Sequence, residues 1–162
     1  MTELKLLRQK DIETVQKLAK EIWYEHYSKI ISYEQIDFML DMFHSDERII
    51  LDIQKGCVWK ILWFDSQPVG YLMIKSEKEK IYLSKIYLKK EFRGRGFGKI
   101  MMDDILEYSK KTNSKSICLN VNKNNLNSIR FYENSGFKKI DEVVADIGNG
   151  FVMDDFIYEI KL

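Results

Sequence analysis

The 162-residue chain has two cysteines, two histidines and one proline. Cys57 and Cys118 are far apart and form no CxxC pair, so neither a disulfide framework nor a thiolate zinc site is expected. With only His26 and His44 there is no His-rich metal centre, and no EF-hand spacing occurs, so no metal is expected. No run approaches the ~18 apolar residues that span a bilayer. Met1–Leu7 carries Glu3 and Lys5 and has no apolar signal region, so a cytoplasmic location is expected. Net charge is also scarce: 26 Lys and Arg oppose 25 Asp and Glu, leaving +1. Such a balance gives no bulk reason to expect nucleic acid or an anionic membrane as partner. No repeat, low-complexity tract or linker divides the chain, and the length suits one domain of ~150 residues.

Hydrophobic periodicity is plentiful. Leu4–Leu7 reads as a short strand. Val15, Leu18, Ala19, Ile22, Trp23 and His26 share one helical face. Ser32 and Gln35 form a capping box for a second helix whose face is Ile36, Met39, Leu40 and Phe43. Ser45 opens a third, short helix ended by Gly56. The period then changes. Cys57–Phe64 and Val69–Lys75 read as a hairpin around an Asp65-Ser66-Gln67-Pro68 turn, and Ile81–Leu88 as the next strand. After a basic loop come a helix over Ile100–Lys111, a strand over Ser116–Val121 and a helix over Asn125–Asn134, which Asn125 can cap. Phe137–Val144 and Phe151–Ile160 close the chain as two strands joined through Gly148-Asn149-Gly150. The order β-α-α-(α)-β-β-β-α-β-α-β-β predicts an α/β domain with a mixed sheet, because hairpins are antiparallel and strand-helix-strand steps favour parallel pairs.

The informative feature is the loop Arg93-Gly94-Arg95-Gly96-Phe97-Gly98-Lys99 between a strand and a helix. Alternate glycines reach positive φ and can turn several N–H groups to one side. The following helix adds its free N-terminal N–H groups and its positive dipole end. Arg93, Arg95 and Lys99 add side-chain charge. The loop reads as a phosphate or pyrophosphate cradle; a merely flexible basic loop is the alternative, which need not start a helix. It is not a Walker A loop, because the first glycine would fall on Arg93 and Ile100 replaces the metal-binding hydroxyl. It is not a Rossmann fingerprint, because the third glycine would fall on Lys99. Arg95-Gly96-Phe97-Gly98 matches the start of an RNA-binding RNP1 motif, but the next residues enter an amphipathic helix rather than a strand, so no nucleic acid partner is expected. A second constellation runs from Asn125 to Phe137, where Tyr132 lies two helical turns beyond Asn125. By spacing alone Tyr132 does not stand above the other eight tyrosines.

Together these segments resemble the GNAT superfamily of acyl-CoA-dependent N-acetyltransferases. The loop is similar to that family's Arg/Gln-x-x-Gly-x-Gly/Ala signature through Arg93, Gly96 and Gly98. The later segment is similar to its Asn-x-x-Ala/Ser-x-x-Phe/Leu-Tyr-x-x-x-Gly-Phe signature. The resemblance implies a strongly twisted single-domain fold with acetyl-CoA as co-substrate. It implies that Ile86, Tyr87 and Leu88 lie on a splayed, bulged strand against the pantetheine arm. It places Gly94, Arg95, Gly96, Phe97, Gly98 and Lys99 at the pyrophosphate, with Asn125 and Ser128 also against the cofactor. Tyr132 becomes the general acid for the leaving thiolate. Residues 1–56 would shape the acceptor site, 57–137 would bind the cofactor, and 138–162 would complete the sheet; a homodimer is left open. The expected reaction is transfer of acetyl to a small primary amine, and the alternative is a CoA-binding sensor without turnover.

The family's usual glutamate on the strand before the loop is absent, since Leu83-Ser84-Lys85 stands there. Glu25, His26, Asp37, His44 or a water relay remain as candidate bases. Charge is segregated along the chain. Residues 75–99 hold nine Lys and Arg against three acids, net +6, while 21–47 and 141–159 are each net −6. An acidic rim would favour a cationic acceptor such as a polyamine or a basic amino-acid derivative, although solvated faces of helix and strand account for most such carboxylates. Trp23, Tyr24, Tyr27, Tyr33 and Phe38 are candidates for the acceptor cleft, with core packing an equal alternative for about half of them.

Overall fold

The computed structural model describes residues 1–162. Seven strands form one sheet, β1 (Thr2–Leu6), β2 (Val58–Phe64), β3 (Gln67–Glu77), β4 (Lys80–Leu88), β5 (Ser116–Asn122), β6 (Lys138–Gly148) and β7 (Phe151–Lys161). Their order is β1-β2-β3-β4-β5-β7-β6. Five helices complete the fold: α1 (Ile12–Tyr27), α2 (Tyr33–His44), α3 (Asp46–Gln54), α4 (Phe97–Lys111) and α5 (Leu126–Asn134). The expected α/β class and mixed sheet are present: β4 and β5 are parallel and every other neighbouring pair is antiparallel.

Alternation along the central strands builds two cores. Leu62, Leu72 and Ile74 face one way and join Met101, Met102 and Ile105 of α4. Ile61, Tyr71 and Met73 face the other way and join Val15, Ile22, Ile36 and Ile49 of α1, α2 and α3. A period of two on strands buried on both sides produces this division.

Three local details differ from the sequence reading. The β2–β3 turn is only Asp65-Ser66, both at positive φ (48° and 65°), and Gln67 already pairs with Phe64. Pro68 is therefore inside a strand, in the pair next to the one that closes the turn, where an antiparallel ladder asks no N–H of it toward β2. Helix α4 begins at Phe97 rather than Ile100, with Gly96 as its N-cap. Asn125 occupies the N-cap position of α5, but its side chain makes no capping bond.

Two features of β4 shape the space beside it. First, β4 pairs with β5 only through Lys80–Tyr82 against Ser116–Cys118, and the strands then part. Second, Met73 pairs with Lys85 and Ile74 with Leu83, so Ser84 is an extra residue, a β-bulge. Without it Lys85 would share a face with Leu83. The bulge turns Lys85 to the α1–α3 face, opposite Met73. The end of β4 is held close to β3 at Gly70, where a Cβ would lie 2.6 Å from the Tyr87 carbonyl oxygen. Gly70→Ala is expected to destabilise the fold by about 1–3 kcal/mol, read by urea unfolding, because backbone must yield.

Candidate active site

The parting of β4 and β5 opens a cleft with two connected halves. Lys89 N–H donates to the Val69 carbonyl at 2.8 Å, which fixes the alternation of the β3–β4 ladder. Lys89, Tyr87 and Lys85 direct their N–H groups to β3, so Ile86 and Leu88 direct theirs into the gap that β5 has left. The Leu88 carbonyl in that gap accepts the Arg93 guanidinium at 3.1 Å.

The first half, of about 380 Å³, is lined by Ile86, Tyr87, Leu88, Arg93, Gly94, Gly96, Gly98, Lys99, Ser128 and Tyr132, with His26, Met101, Asn127 and Phe131. Gly94 and Gly96 have φ of +72° and +87°, and a Cβ on either would point into open space. None of the six backbone N–H groups from Gly94 to Lys99 meets a backbone or side-chain acceptor; the first helical bond is Ile100 N–H to the Gly96 carbonyl at 3.2 Å. Six free donors beside a helix N-terminus form an anion nest, so the chain's own residues fit a pyrophosphate. Gly98 is needed for a different reason, because a Cβ there would lie 3.1 Å from the Phe131 ring.

The side chains of this loop depart from expectation. Arg95 places its guanidinium 5.3–5.6 Å from the ring centroids of Phe64, Phe92 and Phe97, outside the cleft. Phe97 is buried in the core. Arg93 is engaged by Glu25 at 2.8 Å as well as by Leu88, and Lys99 pairs with Asp103 at 2.6 Å. Backbone N–H groups, more than side-chain charge, make the nest.

The second half, of about 620 Å³, lies between the ends of β3–β5, α1–α3 and β7. Ile86, Tyr87, Ser128 and Tyr132 line both halves and so mark their junction. Tyr132 is 8% exposed, its ring packed on Phe131 and Phe137, and its hydroxyl has no hydrogen-bond partner in the protein. Burial raises its pKa, with the neighbouring Tyr27 and Tyr82 adding to the effect, so the group stays a protonated phenol. Asn125 lines the second half rather than the first. Instead of capping α5, its Oδ1 faces His26 Nε2 at 2.8 Å. Tyr27 and Tyr87 share a hydroxyl contact of 3.0 Å in the same wall.

Of the candidate bases, none opens onto the second half. Glu25 pairs with Arg93, and Asp37 is exposed on α2. His26 lines the first half, and burial lowers its pKa. His44 is sealed in the core, where Nε2 contacts the Tyr71 hydroxyl at 2.9 Å and burial holds its pKa well below the usual range. The acidic blocks also lie elsewhere: Glu21 pairs with Lys89, and Glu142 and Asp154 with Lys123. From the two blocks only Asp155 reaches the cavity. It is 4% exposed, and burial pushes its carboxyl up to about 6 against the opposing influence of Asn120. Sequence reasoning passed over Asp155, although it shares strand parity with Met153, which lines the same wall. Trp23 and Tyr27 line the cavity as expected, whereas Tyr24, Tyr33 and Phe38 do not. No group of three or more His, Cys, Asp and Glu comes together, and no helix is long and apolar enough to cross a membrane.

The family comparison decides what this cleft belongs to. The model of the acetyltransferase (GNAT) family matches residues 12–137. The chain belongs to the GNAT family of acetyltransferases. It is thus an N-acetyltransferase, as the relatives' names agree. It is 27% identical over 157 residues to the spermidine N(1)-acetyltransferase of Thermoplasma acidophilum, covering 94% of this chain and 95% of that protein. It is 24% identical over 125 residues to the peptidyl-lysine N-acetyltransferase YjaB of Salmonella typhimurium, covering 75% and 80%. Its fold superimposes on the PaiA N-acetyltransferase of Thermoplasma acidophilum, solved in complex with coenzyme A, with a TM-score of 0.86 and 28% identity over 100% of this chain and 99% of that one. The GNAT fold, shared with a relative solved in complex with coenzyme A, supports coenzyme A as a ligand of this chain.

Proposed function

We propose that this GNAT member moves the acetyl group of acetyl-CoA directly to a primary amine of a small acceptor, with Tyr132 as general acid. The observation that carries the reading is the unpartnered Tyr132 hydroxyl at the junction of the two half-clefts. The N–H groups of Gly94–Lys99 hold the pyrophosphate of the acyl-donor substrate. The outward N–H groups of Ile86 and Leu88 pair with the pantetheine arm and the thioester oxygen, while Ser128 packs against that arm. Acetyl-CoA supplies an activated thioester. As the amine nitrogen bonds to the carbonyl carbon, preorganised N–H donors stabilise the charge on its oxygen. When the carbon–sulfur bond breaks, the sulfur takes the Tyr132 proton.

The incoming amine must lose a proton, since a free alkylammonium resembles lysine with a pKa of about 10.4. Asp155 is the acidic group of the acceptor half best placed for this, because it is buried there and charged above about pH 6. Below that pH its carboxyl is protonated and accepts nothing, so kcat/KM rises through about pH 6. Asp155→Asn is expected to lose this limb, measured as a pH profile of kcat/KM; an unchanged limb removes Asp155 from the role.

In this reading the acceptor half draws on α1–α3 and also on Ala145, Met153 and Asp155 of the last two strands. The two curated relatives are named for acceptors with primary amines, spermidine and peptidyl-lysine. A thiol-release assay with acetyl-CoA and a panel of amines tests the reading. Release that requires both substrates is the expected result. Coenzyme A binding without release on any amine leaves a binding module instead.

A further inference from the structure

The acceptor half contains two buried charges with unused bonding capacity. Lys85 is 6% exposed, turned into this face by the Ser84 bulge. Its ammonium lies 5.0 Å from the Trp59 ring and 5.5 Å from the Phe43 ring. Its one hydrogen bond goes to Ser84 Oγ at 3.2 Å, and no carboxylate pairs with it. An ammonium has three donors. Asp52 is 3% exposed; Oδ1 accepts the Arg48 guanidinium at 3.0 Å, and Oδ2 is buried with no partner. Both residues line the cavity that Tyr132 also lines. Buried charges are ordinarily paired and hydrogen-bonded, so two incomplete ones facing a cavity point to a ligand that completes them.

The rest of the wall says what kind of ligand. Arg48, Lys55 and Lys75 line this cavity with Lys85, and Asp52 and Asp155 are its two carboxylates. Arg48 is taken by Asp52 and Lys75 by Glu77. A polyamine brings cations alone and would leave Lys85 unpaired. A zwitterion satisfies both orphans. We propose that Lys85 and Asp52 form a subsite for the zwitterionic head of a diamino acid, whose distal amine is the acetylated group. The acceptor carboxylate takes the free Lys85 donors and its α-ammonium donates to Asp52 Oδ2. The aliphatic chain runs past the aromatic wall, and the distal nitrogen meets the thioester beside Tyr132. There a carbon–nitrogen bond replaces the carbon–sulfur bond; the distal ammonium gives up two protons, one to solvent through Asp155 and one that restores the proton Tyr132 has given to the departing sulfur, so that free thiol leaves.

The subsite rests on the acetyltransferase reading, and binding separates the two. Protein loaded with coenzyme A is titrated calorimetrically with L-lysine, L-ornithine, cadaverine, putrescine and spermidine. The diamino acids are expected to bind at least 10-fold more tightly than their decarboxylated counterparts. Lys85→Met is expected to weaken L-lysine binding at least 10-fold without weakening that of cadaverine, which loses a repelling charge. Asp52→Asn provides a second variant, and retained stabilisation by acetyl-CoA verifies that each variant is folded. Tighter binding of spermidine or cadaverine than of L-lysine overturns the subsite, as does L-lysine affinity indifferent to both substitutions. Lysine binding without acetyl transfer to any amine overturns the acetyltransferase reading and leaves the subsite standing.

Discussion

Tyr132→Phe is expected to lower kcat by about 10²-fold or more, within the usual range for a positioned general acid. Acetyl-CoA should still raise the melting temperature of the variant, because the backbone N–H nest is untouched by the substitution. The fold should barely notice the change. The hydroxyl has no protein partner, and the ring remains packed on Phe131 and Phe137. Removing an unpaired hydroxyl forfeits no hydrogen bond. The raised pKa also makes a specific claim about pH. Tyr132 is a neutral phenol throughout the working range, so its proton is available at every pH at which the enzyme is assayed. An unchanged kcat removes Tyr132 from the acid role. A fall in cofactor affinity with kcat preserved makes it a packing residue of the donor half.

Gly96→Val is expected to abolish stabilisation by acetyl-CoA. Residue 96 has φ +87° and caps α4. A β-branched side chain there costs roughly 1–2 kcal/mol in backbone strain. The nearest protein atoms leave its Cβ in open space on the side where a pyrophosphate must approach the free N–H groups. The two effects are separable. A ligand at 100 times its Kd stabilises by about 2.7 kcal/mol. For a domain of this size that is a rise of roughly 5–10 °C in Tm. The variant should therefore show a modestly lowered Tm without ligand and no rise with it. A normal rise would mean that the nest is not the pyrophosphate site.

Much of this architecture is legible in the sequence because it depends on local signals. Helix periodicity, the Ser32 and Ser45 caps and the glycines of the 94–98 loop each state their structure within a few residues. The Tyr132 position is legible only through the resemblance, since spacing cannot rank one tyrosine above another. The acceptor wall is harder to read. Asp52, Lys85 and Asp155 come from α3, β4 and β7, and nothing local joins them. Lys85 depends on a single extra residue at Ser84, which reverses the strand's parity without any mark in composition. The acidic blocks are hard to read for a related reason. A linear count of charge ignores ion pairs such as Glu25–Arg93, which consume carboxylates before any ligand meets them.

The central claim is that donor and acceptor meet directly where the two half-clefts join. Initial rates measured with acetyl-CoA and a reactive amine varied together test it most directly. Direct transfer predicts intersecting double-reciprocal lines, with both substrates bound before thiol is released. Parallel lines, together with an acetylated protein isolated in the absence of amine, would contradict it.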